Sequence, residues 1–506
     1  MLKSTGGTIA AGNQKTAAAG IEMLQLGGNA FDAAVAAVLA SFVTESTLTS
    51  AAGGGFLLAH TQANKNILFD FFSQTPRAKK LQSKLDFYPV DINFGDAIQE
   101  FHIGLGAIAV PGNIGGIFHV HQRLGRLPFK VVAEPAIHYG NNGVKVEDFQ
   151  HYSASILKPI IFADPEMKSV YAPRGELLKT GETFFMKDFA NTLAYLVEAG
   201  VQEFYQGEIA HQLVKDCQEF GGYLSLEDLK NYQVIEREPL IINYRNNLLL
   251  TNPSPSSGGI LIAFALELLA KIDLTDVEFG TPNHLQILIE VMRLTNTARK
   301  ERENVEESFL NDEHINQYQQ QLVKSVNKWG STTHISVIDA EGNAASTTTS
   351  HGEGCGYVIP GTGIMMNNML GEEDLNPYGF HQWQENVRIS SMMSPTIVLK
   401  NNQPEIALGS GGSNRIRTAI LQVISNIIDF KMPVELAVNS PRIHWENNVL
   451  NIEPGLSQKV ANLENDRVIL WNQQNMFFGG VHTAMELEGI ITGAGDRRRN
   501  GAIASL

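Results

Sequence analysis

The hydrophobic pattern of the chain changes period several times, and each change marks an element. Residues 16–26 (TAAAGIEMLQL) read as a helix that stops at Gly27-Gly28. Asn29 then occupies an N-cap position with Asp32 three residues on, opening the apolar run 30–43. Fourteen residues carrying Asp32 are too short to span a bilayer. A hairpin is predicted next, with strands 56–60 and 67–72 around Asn64-Lys65-Asn66. From about 100 to 330 the pattern is mainly helical, as in 260–272 and 284–302, and the polar, glutamine-rich stretch 311–328 is expected to be exposed. The character shifts at residue 332. Strands 333–338 and 344–350 flank the turn Ala340-Glu341-Gly342-Asn343, and strands 396–399 and 406–409 lead through Gly411-Gly412-Ser413 into a helix over 415–430. Such an order of elements fits a layered α+β fold.

Composition narrows the function. With 43% hydrophobic and 18% charged residues, the 506-residue chain is an ordinary core builder, and its net charge of −15 repels a phosphate backbone. Arg497-Arg498-Arg499, ahead of Asn500-Gly501, reads as a turn or ion-pair feature, so no nucleic-acid partner is expected. Cys217 and Cys355 do not make a secreted scaffold, although a single bridge between them stays open. No apolar segment follows Lys3, so the expectation is a cytoplasmic protein with no signal peptide and no membrane partner.

Three stretches carry candidate chemistry. Gly330-Ser331-Thr332-Thr333-His334 sits where a polar helical segment meets a strand. A threonine hydroxyl needs a base beside it, and the free α-amine of an N-terminal threonine is one solution, which an internal threonine gains only if the preceding bond is cut. A hydroxyl-rich strand edge is the plain alternative. Residues 408–415 (LGSGGSNR) form a strand, a glycine loop and a helix start, fit either for an anion or for a tight turn. The loop lacks the P-loop ending and the dinucleotide spacing, so no cofactor is expected. In residues 345–363, His351, Glu353 and Cys355 alternate without a second ligand pair, so the prediction is a glycine-rich pocket wall and no metal.

Taken together, the chain resembles the γ-glutamyltransferase (glutathione hydrolase) family of self-processing N-terminal-nucleophile hydrolases. The resemblance rests on residues 27–37 (GGNAFDAAVAA), 53–56 (GGGF), 255–259 (PSSGG), 332–337 (TTHISV), 360–364 (PGTGI), Asn367-Asn368 and 393–397 (MSPTI). It implies a four-layer αββα sandwich, cut into a large subunit, 1–331, and a small subunit, 332–506, that form one body. It also implies an acyl transfer through a threonyl ester, from a small γ-glutamyl or other amide to water or to an amino-acid or peptide acceptor. By position, Thr332 is the nucleophile and Ser331–Thr332 the cleavage site. Ser350 stands where the family has a threonine bonding the nucleophile's hydroxyl. Gly411 and Gly412 are the oxyanion donors, and Ser390-Ser391 the pair that grips the substrate.

The departures concern the substrate. Where the family has Asp-Phe-Arg-Glu, with an arginine clamping the α-carboxylate, this chain has Asp70-Phe71-Phe72-Ser73. Glu372, shifted along the chain, stands in for the acidic residues that hold the α-ammonium. The alternatives are an acylase of the same fold for a non-γ-glutamyl amide, and a non-catalytic protein binding through its glycine loop.

Overall fold

The computed structural model describes residues 3–93, 98–301, 310, 331–456 and 466–506, so the glutamine-rich stretch 311–328 lies outside the described residues. Near the start, α1 (Gln14–Gln25) is capped by the Asn13 side chain, and Gly27 takes the left-handed turn that ends it. α2 (Ala30–Thr44) opens with a capping box in which Asn29 accepts from the Phe31 and Asp32 N–H groups and Asp32 accepts in return from Asn29 N–H. Apolar on every face, α2 is buried along its whole length.

Thirteen short segments build two antiparallel sheets. They are β1 (Gly7–Ala11), β2 (Gly54–His60), β3 (Asn66–Phe71), β4 (Ile235–Arg237), β5 (Leu240–Tyr244), β6 (Asn247–Thr251), β7 (Thr333–Asp339) and β8 (Ala344–Ser350), followed by β9 (Thr396–Lys400), β10 (Gln403–Gly411), β11 (Gly480–Leu487), β12 (Ile490–Ala494) and β13 (Ala502–Ser505). The first sheet runs β13-β1-β7-β8-β2-β3-β4 and the second β12-β11-β10-β9-β6-β5. α1 and α2 cover the first sheet on its outer face. α3 (Gly258–Ala270) and α4 (Arg415–Ile428) cover the second, which completes the four layers helix, sheet, sheet, helix. The predicted hairpin, helices and late strands all form, within a few residues of their expected bounds. The middle segment departs from expectation in supplying β4, β5 and β6 among its helices.

Strand alternation decides what faces the seam between the sheets. On β7, His334 abuts Gly409 of β10 and the Ser336 hydroxyl donates to the His482 carbonyl of β11, so even-numbered side chains point at the second sheet. On β8, the Ser346 hydroxyl donates to the Leu408 carbonyl, and Thr348 bonds the His334 ring. Odd-numbered Thr333 points the other way. Its hydroxyl donates to Glu45, just past the end of α2, and Glu45 also accepts from Thr16. A buried carboxylate beyond a helix C-terminus is unfavourable on both counts, and burial pushes Glu45 up to about 7 from its ordinary 4.5.

That shift has a sign. An acid raised in the folded state keeps its proton after the unfolded chain has released it. Its contribution is therefore complete below about pH 4.5 and is lost as the pH climbs from there through 7, by roughly 3–3.5 kcal/mol at most at about 1.36 kcal/mol per pH unit. The thermal midpoint of the native protein should fall between pH 5 and pH 8 by more than that of Glu45→Gln, whose side chain stays neutral. Equal falls would remove the argument.

Candidate active site

Thr332 is the residue just ahead of β7, and the β7–β8 register pairs Thr333 with Thr349. One step further along the ladder Thr332 meets Ser350, and both have the parity that faces the second sheet. Their side chains converge on one atom. Thr332 Oγ1 and Ser350 Oγ each donate to the carbonyl oxygen of Ser331 at 2.6 Å. In the uncut chain Ser350 therefore contacts the carbonyl before Thr332 rather than the Thr332 hydroxyl, while accepting from Gly352 N–H at 3.0 Å.

Glycine and arginine close the other side. Ser410-Gly411 ends β10 and Gly412, with φ 124°, turns the chain toward α4. A Cβ on Gly411 would lie 2.1 Å from the Thr332 carbonyl oxygen, so only glycine lets the loop approach this closely. The same oxygen accepts from Arg499 Nη1 at 3.1 Å. Arg499 is buried, and desolvation draws it down to about 10, with Glu353, Asp496 and Glu45 as the opposing charges.

A cavity of about 810 Å³ opens on this point, and Ser331, Thr332, Ser350, Glu372, Ser390 and Ser391 all line it. The backbone of Gly411 packs against the Thr332 carbonyl, whereas Gly412 lies against Gly479 and Arg499, and Ser413 is the part of that loop that reaches the cavity wall. Ser390 is exposed to the cavity with its hydroxyl 3.5 Å from that of Ser257. Ser391 is buried. Its hydroxyl accepts from Met393 N–H, and its carbonyl holds Ser256 and Ser257 ahead of α3 and Gly258 at its first residue. Glu372 is half-buried, and its Oε1, itself buried, has no hydrogen-bond partner among the described residues. Burial, with Glu353 and Asp374 nearby, pushes its carboxyl well above the usual range.

Phe72 lines the same cavity and stacks on Phe56 with ring centroids 5.5 Å apart. Beside it stands Arg388, a cation that the sequence reading did not single out. Its guanidinium donates to the Phe72 carbonyl, to Tyr232 OH at 2.7 Å and to the Gln233 carbonyl at 2.7 Å, and lies 3.4 Å from Asp70. This arginine is committed to the wall.

The alternating trio parts company. Glu353 accepts from the backbone N–H of Ser331 at 2.9 Å and from its hydroxyl, whereas Cys355 is buried with its thiol 3.8 Å from the Tyr357 carbonyl, and burial draws His351 down to about 4. Both cysteines are free. The triple arginine is an ion-pair turn, as expected, for Arg498 with Glu453 and Asp496, but Arg499 reaches the site. Arg499 and Glu45 were not legible as site residues, because each acts across a long stretch of sequence, and Glu353 was read only as part of a pocket wall. Among the described residues no helix is long and apolar enough to cross a membrane.

Known proteins resemble this chain over most of its length. The chain is 30% identical to a glutathione hydrolase proenzyme of Pseudomonas aeruginosa, over 87% of its own length and 83% of that protein. It is 28% identical to the acylase ACY 1 proenzyme of Pseudomonas sp. strain V22, over 99% and 93%. The crystal structure of cephalosporin acylase from Bacillus halodurans shares the fold, with a TM-score of 0.86 at 24% identity, covering 99% of this chain and 96% of that one. The gamma-glutamyltranspeptidase family model matches residues 16–506, and the chain belongs to that family of N-terminal-nucleophile enzymes.

Proposed function

We propose that this enzyme cuts itself before Thr332 and then uses Thr332 to hydrolyse or transfer a γ-glutamyl or related acyl group from an amide. The observation that carries this reading is the convergence of two hydroxyls on the Ser331 carbonyl, each at 2.6 Å. In self-cleavage, Thr332 Oγ attacks the carbonyl carbon of residue 331, and negative charge develops on an oxygen that already accepts from Ser350. Collapse breaks the C–N bond and the nitrogen takes up the proton, leaving an ester between residue 331 and Thr332 Oγ. Water opens the ester, which gives a carboxylate on residue 331 and a free α-amine on Thr332. That amine is the general base for the hydroxyl in each later turnover. The substrate acyl group then forms an ester on Thr332, with the Gly411 and Gly412 N–H groups as oxyanion donors, and passes to water or to an amino-acid or peptide acceptor.

Glu372 supports an acyl group bearing an ammonium. Its unpartnered, buried oxygen is costly as it stands, and a cation restores the charged form. A second reading, an acylase whose acyl group lacks the α-carboxylate, is favoured by Phe72 and by the committed Arg388.

On this reading, purified native protein separates under denaturing conditions into chains 1–331 and 332–506, and Thr332→Ala remains one chain. Mass spectrometry of both proteins checks it, and an alanine variant still split at this bond would falsify the nucleophile assignment. Ser350→Ala should keep the fold and slow both cleavage and turnover, by about 10²- to 10³-fold where one oxyanion donor is lost. Native rates in that variant would make Ser350 a mere strand residue. For the substrate, kcat/KM is compared for γ-glutamyl-p-nitroanilide and 4-aminobutyryl-p-nitroanilide, which keeps the ammonium but lacks the α-carboxylate. An unclamped carboxylate predicts a preference below roughly tenfold, since a hydrogen bond to a charged group contributes about 1.5–3 kcal/mol. A preference above about a hundredfold means that the carboxylate is held after all.

A further inference from the structure

Residue 331 is gripped at every polar atom by one short piece of the 332–506 region. Its carbonyl oxygen accepts from Ser350, and its N–H and its hydroxyl both donate to the two carboxylate oxygens of Glu353. The piece is built to do this. Gly352 and Gly354, with φ of 68° and 83°, bend the chain on either side of Glu353, while Asn368 accepts from the Glu353 N–H at 2.9 Å. The carboxylate is 2% exposed, which is tolerable only with partners, and Arg499 and Arg415 supply the opposing charge. The self-cleavage steps above use Ser350 and Thr332 but give no task to Glu353.

We propose that Glu353 is the positioning residue of self-cleavage: by gripping the N–H and hydroxyl of Ser331 it fixes the plane of the scissile carbonyl over Thr332. The inference rests on the self-cleavage reading and deepens it. Two bonds from one carboxylate, with the Ser350 bond as the third point, leave the acyl side of the Ser331–Thr332 bond no freedom to rotate. Attack on an amide depends steeply on alignment, and a displacement of about 1 Å can slow a reaction by roughly 10²-fold. The arrangement also explains a preference at the residue before the cut. A side chain at 331 that can donate completes the second bond, and one that cannot leaves a buried carboxylate oxygen unpaired. After cleavage residue 331 ends the first chain, and the clamp has no further part in the chemistry at Thr332.

The test follows the appearance of the 332–506 chain from freshly made full-length precursor. Glu353→Ala should slow cleavage by about 10²-fold, and Ser331→Ala by about tenfold, while Ser331→Thr, which keeps the hydroxyl, should cleave near the native rate. The decisive variant is the double alanine. If the two residues act as one clamp, Ser331→Ala in the Glu353→Ala background slows cleavage no further. Additive slowing would overturn the clamp, as would Glu353→Ala cleaving at the native rate. Thermal midpoints monitor folding; should Glu353→Ala fail to fold, Glu353→Leu, which removes both acceptor oxygens but fills the space, replaces it in the same cycle with the same two outcomes. Failure of the underlying reading looks different, since native precursor would then stay whole or Thr332→Ala would still split.

Discussion

The antiparallel pairing of β7 with β8 is the constraint on which the rest of the structure depends. Because side chains alternate, a register that places Thr333 opposite Thr349 also brings Thr332 to Ser350 and turns both toward the second sheet. A slip of one residue would send both hydroxyls into the helical layer and bring Thr333 to the seam. The seam itself pins the register. His334 bonds Thr348 across the pair and Ser336 along its own strand, and it packs against Gly409, where a Cβ would meet the ring at 2.3 Å. Burial keeps that ring neutral, with its pKa well below the ordinary value, so it serves as one acceptor and one donor among hydroxyls.

The sheet order shows how a chain divided at residue 332 would remain one body. In the first sheet β1 lies between β13 and β7, and β8 lies against β2, so strands from before and after the proposed cut pair with one another at three places along the ladder. The second sheet repeats the theme where β6 pairs with β9. Separating the two pieces would expose the backbone groups of several strands at once, each of which needs a partner. A cut peptide bond at the end of β7 removes none of these.

Much of this was legible in residue pattern, and what was not has a physical reason. Local rules fixed the helix at Ala30–Thr44, since Asn29 and Asp32 write its cap within four residues. The strand, glycine loop and helix start over residues 408–415 and the strand pair after residue 332 were likewise readable from neighbours in sequence. The hairpin β5–β6 was missed. Its apolar run Leu248-Leu249-Leu250 fits a helix as well as a strand, and the turn depends on Arg245 and Asn246 both at positive φ, where arginine gives no warning. Ser350 was found through family resemblance, but its partner in the uncut chain, the Ser331 carbonyl, needed the register to be seen. Arg499 and Glu45 lie 167 and 288 residues from the atoms they bond, and no local pattern reports such contacts.

Those distant contacts answer a problem that a threonine nucleophile poses. The end of a chain frays unless something ties it down, and on the proposed reading Thr332 must keep its hydroxyl within a fraction of an ångström of one place after becoming a chain end. Here the residue is tied without using its own reactive groups. Its carbonyl is held by Arg499 and crowded by the bare backbone of Gly411, and the next side chain, Thr333, is anchored through Glu45 to the end of α2. The hydroxyl and the nitrogen of Thr332 are left to the chemistry. Such anchoring requires a buried cation and a buried carboxyl at the heart of the fold, both pulled from their ordinary protonation behaviour by desolvation. The unfavourable burial of Arg499 and Glu45 is thus the counterpart of an immobile Thr332, and their place at the chain end that the proposed cleavage would create gives a reason why the fold tolerates them.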